Sequence, residues 1–298
     1  MSGIPASGQH GGDSKAVAAA LGIDVNELLD LSMSLNPAAR DPKPIIARHL
    51  DAIGAYPDPQ AATTALAYAM AVDRDRLLLT NGGAEAIALL AAELSGHVEG
   101  PEFALHPRNA SGPRWRSNPH NPTGLLAAPT ETAGVWDEAF YPLATGTWTR
   151  GDEGVPVVGS LTKLMSCPGL RVGYLLAEPE LVERCRRRQP GWSVNGLVCA
   201  ALPDLLDTVD LTGSVAAIRD LRASLVEVLS GYGLQAQQSD VNWVLVEAPG
   251  LRERLAPHGV LVRDCATFGL PGVMRIAVPD SSGLNRLDEA LKRAMITE

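Results

Sequence analysis

Short apolar runs alternate with stretches of helical spacing along most of the chain. Residues 77–79 are three leucines in a row, the length of a buried strand, and residues 84–94 repeat apolar positions at helical intervals. Between them Thr80-Asn81-Gly82-Gly83 breaks the pattern. The same reading predicts strands at 29–35, 135–136, 155–158 and 172–176. It predicts helices over Ser14–Leu21, 45–53, 61–71 and Pro179–Arg188. Asn36-Pro37 ends the first strand, and Tyr56-Pro57-Asp58-Pro59 is a turn. Residues 97–117 hold three prolines and two glycines with little periodicity and read as mostly irregular.

The pattern shifts near residue 203. A long helix with one or two breaks is predicted over 205–229, followed by strands at 241–247, 260–263 and 273–278 and helices at 251–256 and 284–295. Short strands interleaved with helices point to an α/β fold in the first part. The tail reads as a smaller α+β lobe. The expected organisation is an arm over 1–43 packed with the small domain, a large domain over 44–203 and a small C-terminal domain over 204–298.

Composition narrows the classes. With 298 residues, 46% of them apolar, the chain can build a full core, at about 150 residues per domain. A net charge of -9 argues against a nucleic-acid partner, which would select a basic surface. No apolar run reaches membrane-spanning length, and residues 1–9 lack the charged and apolar regions of a secretory signal. A cytoplasmic protein with reduced Cys167, Cys185, Cys199 and Cys265 is expected, and their spacing suggests no metal site. Only Lys15, Lys43, Lys163 and Lys292 could supply an amine.

Three segments carry candidate chemistry. Lys163 lies in Ser160-Leu161-Thr162-Lys163, eight residues before Arg171. A lone lysine is usually a surface residue, but this one sits where a strand should meet a loop. Desolvation there would favour the neutral amine, the nucleophile that condenses with an aldehyde. Asn121 lies in a rigid turn with two Asn-Pro pairs, which alone could be a plain proline-rich loop. Asp137 follows the short apolar run at 135–136, where an isolated acid is most often a helix cap. Strand, glycine turn and helix start at 77–84 make a ready anion site.

In this order the segments resemble the fold-type I pyridoxal-phosphate (PLP) enzymes, the class I/II aminotransferases and their decarboxylase relatives. Within that group the chain is most similar to threonine-phosphate decarboxylases of cobalamin biosynthesis and to histidinol-phosphate aminotransferases. The likeness rests on HGGD at 10–13, DLSMSLNP at 30–37, YPDP at 56–59, TNGGAEAI at 80–87 and DEAF at 137–140. SLTK at 160–163, PGLRVGY at 168–174, GWSVN at 191–195 and LVRDCATFGLPG at 261–272 agree.

The resemblance implies a PLP-dependent transferase fold, a large α/β domain with a shortened central sheet and a smaller α+β domain. Lys163 would hold PLP covalently and then move protons at the substrate carbon. Asp137 would keep the pyridine nitrogen protonated, and Asn121 would donate to the ring hydroxyl oxygen. Gly83 and Ala84 at the helix start, Ser160 and Arg171 would bind the phosphate, with Thr162 a weaker candidate. Arg275 would clamp the substrate carboxylate, Asn36 would touch it, and His10, Gly11 and Gly12 would lie on an arm closing over a phosphorylated substrate. Asn195 is a further substrate candidate or a turn residue. Tyr56 would reach the cofactor phosphate of a second subunit, which implies a homodimer.

Two departures stand out. Phe140 occupies a place where aminotransferases often carry a tyrosine, which favours the decarboxylase branch. Residues 94–118 are too short for the usual extra strands and the aromatic ring that stacks on PLP, leaving Phe103 or His106 for that role. Three readings follow: a carboxy-lyase acting on an amino-acid phosphate, an aminotransferase using the same residues, or a degenerate fold without catalysis.

Overall fold

The computed structural model describes residues 3–8 and 11–295; His10 lies outside the described residues. Among the described residues nine strands are present: β1 (Leu29–Leu31), β2 (Leu77–Thr80), β3 (Trp115–Ser117), β4 (Val135–Asp137), β5 (Val157–Ser160), β6 (Gly173–Leu176), β7 (Trp243–Glu247), β8 (Val260–Asp264) and β9 (Val273–Ala277). The chain divides into two compact units, and the fold is mixed α/β.

The larger unit holds residues 39–121 and 126–215. Its five strands run in the order β2-β6-β5-β4-β3. β6 is antiparallel to both neighbours, while β5, β4 and β3 are parallel. One face buries Leu78, Trp115, Val135, Val158 and Leu175 against Ala86 and Leu90 of the helix Gly82–Leu94. Strands covered on both faces need no polar alternation, which is why β2 reads as leucine without interruption.

β3 corrects the expectation that 97–117 is irregular. Trp115 is fully buried and pairs with Val135, and its Nε1 donates to the Ser95 carbonyl at 2.9 Å. A three-residue strand flanked by proline and glycine is too short to show periodicity. Further on, the long helix expected over 205–229 with one or two breaks is a pair, Gly196–Leu206 and Leu211–Gly231, with one break at 207–210. The break is stabilised by Asp210, whose carboxylate accepts the Gly213 N–H at 2.8 Å as a new helix start.

The smaller unit joins the described residues through Ala38, the short stretch Pro122–Leu125 and the chain from Ala216 onward. Its boundaries fall at 38/39 and 215/216, against 43/44 and 203/204 in the sequence reading. The sheet runs β1-β8-β9-β7, with β1 parallel to β8 and the other pairs antiparallel. Leu31, Val244, Val262 and Ile276 pack on Leu287 and Leu291 of the helix Ser281–Met295. Pro122–Leu125 is tied in by Trp243, whose Nε1 donates to the Pro122 carbonyl at 2.8 Å. Among the described residues no helix is long and apolar enough to cross a membrane.

Candidate active site

Because β6 alone runs backwards, its first residues share an edge with the C-terminal ends of β2, β5, β4 and β3. That edge gathers Gly83 and Ala84 after β2, Asn121 after β3, Asp137 at the end of β4, Ser160 and Lys163 at β5, and Arg171 just before β6. Crevices at the carboxyl ends of strands are where open α/β sheets bind ligands.

Close backbone packing builds one end of the edge. Gly82 has φ +77°, and a Cβ there would lie 2.9 Å from the Arg171 guanidinium carbon. A Cβ on Gly173 would meet the Gly82 carbonyl carbon and the Gly83 nitrogen at 2.5 Å. Gly83 in turn faces the Ser160 side chain. Ser160 and Thr162 hydroxyls are 2.8 Å apart. Thus a helix N-terminus, two hydroxyls and a guanidinium converge, the set that suits a dianion. Arg171 is held at φ +55°, a left-handed backbone that costs about 1 kcal/mol outside glycine. Glu85 fixes the helix start by accepting the Asn81 N–H at 2.7 Å.

Side chains build the other end. Asp137 is buried; its Oδ2 lies 2.8 Å from His106 Nε2 and its Oδ1 accepts the Ala139 N–H at 3.0 Å. His106 is itself buried, with Trp115 and Phe103 rings at 5.7 and 5.8 Å. Of the two side chains weighed for the ring wall, His106 is the one on Asp137, while Phe103 packs on the core under the sheet. Asn118, whose N–H donates to the Asp137 carbonyl at 2.8 Å, leads the turn carrying buried Asn121. Lys163 sits half-buried on the helix Leu161–Leu164, directly after β5.

The smaller unit carries Arg275, Asn36, Gly11 and Gly12. Arg275 on β9 is buried and stands directly opposite Arg263 on β8. Its guanidinium lies over the Trp243 and Phe268 rings at 5.1 and 5.9 Å. Burial, with the like charge of Arg263, pushes Arg275 down to about 10, and burial lowers Arg263 as well. In the same unit Asn36 Oδ1 accepts the Ala38 N–H at 3.0 Å. The Gly12 N–H donates to Ser32 Oγ at 3.1 Å, and a Cβ on Gly11, at φ +73°, would lie 3.0 Å from the Ser32 carbonyl oxygen.

A family model described as aminotransferase class I and II matches residues 115–293. The chain belongs to that family. It is 26% identical to histidinol-phosphate aminotransferase 1 of Dechloromonas aromatica, over 94% of this chain and 93% of that one. It is 27% identical to threonine-phosphate decarboxylase of Salmonella typhimurium, over 96% of each. The fold matches histidinol-phosphate aminotransferase from Sinorhizobium meliloti, solved with pyridoxal-5'-phosphate, at TM-score 0.79 and 16% identity, over 95% of each chain. It also matches L-threonine-O-3-phosphate decarboxylase from Porphyromonas gingivalis at TM-score 0.77 and 20% identity, over 90% of this chain and 99% of that one.

This aminotransferase-family chain is an enzyme whose cofactor is pyridoxal phosphate. The edge fits that group: a cradle that any Cβ would fill suits its phosphate, and a buried carboxylate at the other end suits its ring nitrogen.

Sequence reasoning missed two residues. Arg263 stood in a quoted motif, but only the β8–β9 register sets it against Arg275. Glu138 follows Asp137 and is fully buried, accepting the Arg150 N–H at 3.1 Å; burial, with Asp152 and Asp137 nearby, pushes its carboxyl up to about 7. Asn195 acts as a cap: its side chain accepts the Val198 N–H at 2.9 Å and donates to the Leu170 carbonyl at 2.8 Å. Tyr56, 79% exposed, stacks on Trp192 at 4.6 Å.

Proposed function

We propose that this enzyme acts on a phosphorylated amino acid and removes its α-carboxylate, as a threonine-phosphate decarboxylase of cobalamin biosynthesis does. The observation that carries the substrate class is the facing pair Arg263 and Arg275, two buried guanidiniums on neighbouring strands whose positive charge favours an anionic ligand. Phosphothreonine brings both a phosphate and a carboxylate. Buried Phe140, which offers no hydroxyl, supports decarboxylation over transamination.

Bound PLP supplies an electron sink for the bond broken at the substrate's α-carbon. Lys163 holds the cofactor through its amine and returns a proton to that carbon. Asp137 keeps the ring nitrogen protonated, and Asn121 donates to the ring hydroxyl oxygen. Gly83, Ala84, Ser160 and Arg171 bind the phosphate, with Thr162 supporting Ser160. Asn36 and the arm glycines Gly11 and Gly12 line the substrate's anionic groups alongside Arg275. Exposed Tyr56, stacked on exposed Trp192, reaches the cofactor phosphate of a second copy in a homodimer. Four buried free cysteines suit a reducing, cytoplasmic setting.

The test is product analysis. PLP-loaded protein given phosphothreonine alone should release carbon dioxide and aminopropanol phosphate. A second reading, a histidinol-phosphate aminotransferase, is favoured by the Dechloromonas relative. It takes over if turnover appears only with histidinol phosphate and a keto acid.

A further inference from the structure

The loop at 102–108 organises itself before it meets Asp137. Arg108 donates to four of its carbonyls: Ala104 at 2.9 Å, His106 at 3.0 Å, Glu102 at 3.1 Å and Phe103 at 3.4 Å. The Glu102 side chain then fastens the loop to β3. It is buried, and its two oxygens accept the Ser117 N–H at 2.9 Å and the Ser117 hydroxyl at 2.5 Å.

Ser117 is the cross-strand partner of Asp137. The Glu102 clasp therefore closes on the residue beside the carboxylate that His106 touches. An ionised carboxylate only accepts, so His106 donates from Nε2 to Asp137. Its other nitrogen, Nδ1, is buried without a hydrogen-bond partner and faces Glu102 Oε2 at 3.6 Å. No hydrogen bond at Nδ1 orients the ring, so its aim rests on the Nε2 bond, the flanking Trp115 and Phe103 rings and the place where the loop is anchored.

We propose that Glu102 is a positioning residue of the cofactor site: by clasping Ser117 it sets His106 on Asp137, and so holds Asp137 in place for the pyridine ring. This assignment rests on Asp137 being the ring-nitrogen partner, and the experiment separates the two.

Two readouts apply to wild type, Glu102→Ala, Glu102→Gln and Ser117→Ala. In cofactor-free, ¹⁵N-histidine-labelled protein, the His106 Nε2 proton should give a protected signal, identified by its loss in His106→Gln. Glu102→Ala should abolish it, while Ser117→Ala and Glu102→Gln, which keep part of the clasp, should retain a weakened signal. With PLP added, the visible absorption of the lysine-bound cofactor should need about tenfold more PLP in Glu102→Ala, the worth of about 1.4 kcal/mol. A Glu102 that served only folding would lower the melting temperature and leave the His106 signal intact in the folded variants. An unchanged signal in both Glu102 variants overturns the proposal. Should Asp137→Asn, with PLP bound, turn over as fast as wild type, the ring-nitrogen reading fails, and the signal in cofactor-free protein still decides whether Glu102 sets His106.

Discussion

The two ends of the cofactor edge are built by opposite means. At the phosphate end, backbone meets backbone: Gly173 presses on Gly82 and Gly83, and Arg171 lies over Gly82. At the ring end, side chains far apart in sequence meet, with His106 on Asp137 and Glu102 on Ser117. A backbone contact has no softer version, since any added atom must displace the chain. A side-chain contact can be trimmed in steps. The phosphate end should fail abruptly, and the ring end by degrees.

Gly173→Ala offers the harshest test of the rigid end. Its Cβ would sit 2.5 Å from two backbone atoms, so β6 must part from the helix start. We expect a loss of about 3 kcal/mol by denaturant unfolding, at the upper end of overpacking costs, and a collapse of PLP affinity. Wild-type stability with intact affinity would mean the packing is looser than drawn.

Asp137→Asn tests the graded end. The amide keeps the size and one acceptor for the Ala139 N–H, so PLP should still bind. Without the negative charge the ring nitrogen is not held protonated, and turnover should fall by about 100-fold, in line with removing one preorganised electrostatic partner. Unchanged kinetics would reduce Asp137 to a cap.

The same contrast governs what the sequence made legible. TNGGAEAI, SLTK and PGLRVGY are contiguous because the proposed phosphate end is made of chain segments whose own turns would do the binding, and glycine identity records each close approach. His106 and Asp137 are 31 residues apart, and nothing local to either marks the other. Arg263 and Arg275 become a pair only through strand register. β3 escaped notice because three residues in a Pro- and Gly-rich stretch carry no period, although buried Trp115 anchors the sheet edge. The α/β class was readable because β2, β5 and β6 are apolar runs bounded by clear breakers.

Glu138 sharpens the comparison from beneath the ring end. Its folded carboxyl titrates at about 7 against an ordinary 4.5, chiefly because it is buried. The native state therefore binds this proton more tightly than the unfolded chain. Stability from this group is full below about pH 4.5 and is lost as pH rises through 7. Between pH 5.5 and 8 the loss should be about 2 kcal/mol, and Glu138→Gln should flatten that part of the stability profile. A profile with the same slope in the variant would show that another group titrates there.

The smallest expected effect concerns the turn that carries Arg171. Asn195 caps the helix Gly196–Leu206 and, through its amide hydrogens, holds the Leu170 carbonyl one residue before Arg171. Asn195→Ala removes both bonds and should cost about 1 kcal/mol, as N-cap losses do. Asn195→Asp restores the cap but cannot donate to Leu170, so the pair of variants divides the two functions. If stability returns in Asn195→Asp while PLP affinity stays reduced, the phosphate end depends on one side-chain bond as well as on its glycines. If both return together, the backbone at Gly82 and Gly173 positions Arg171 without help.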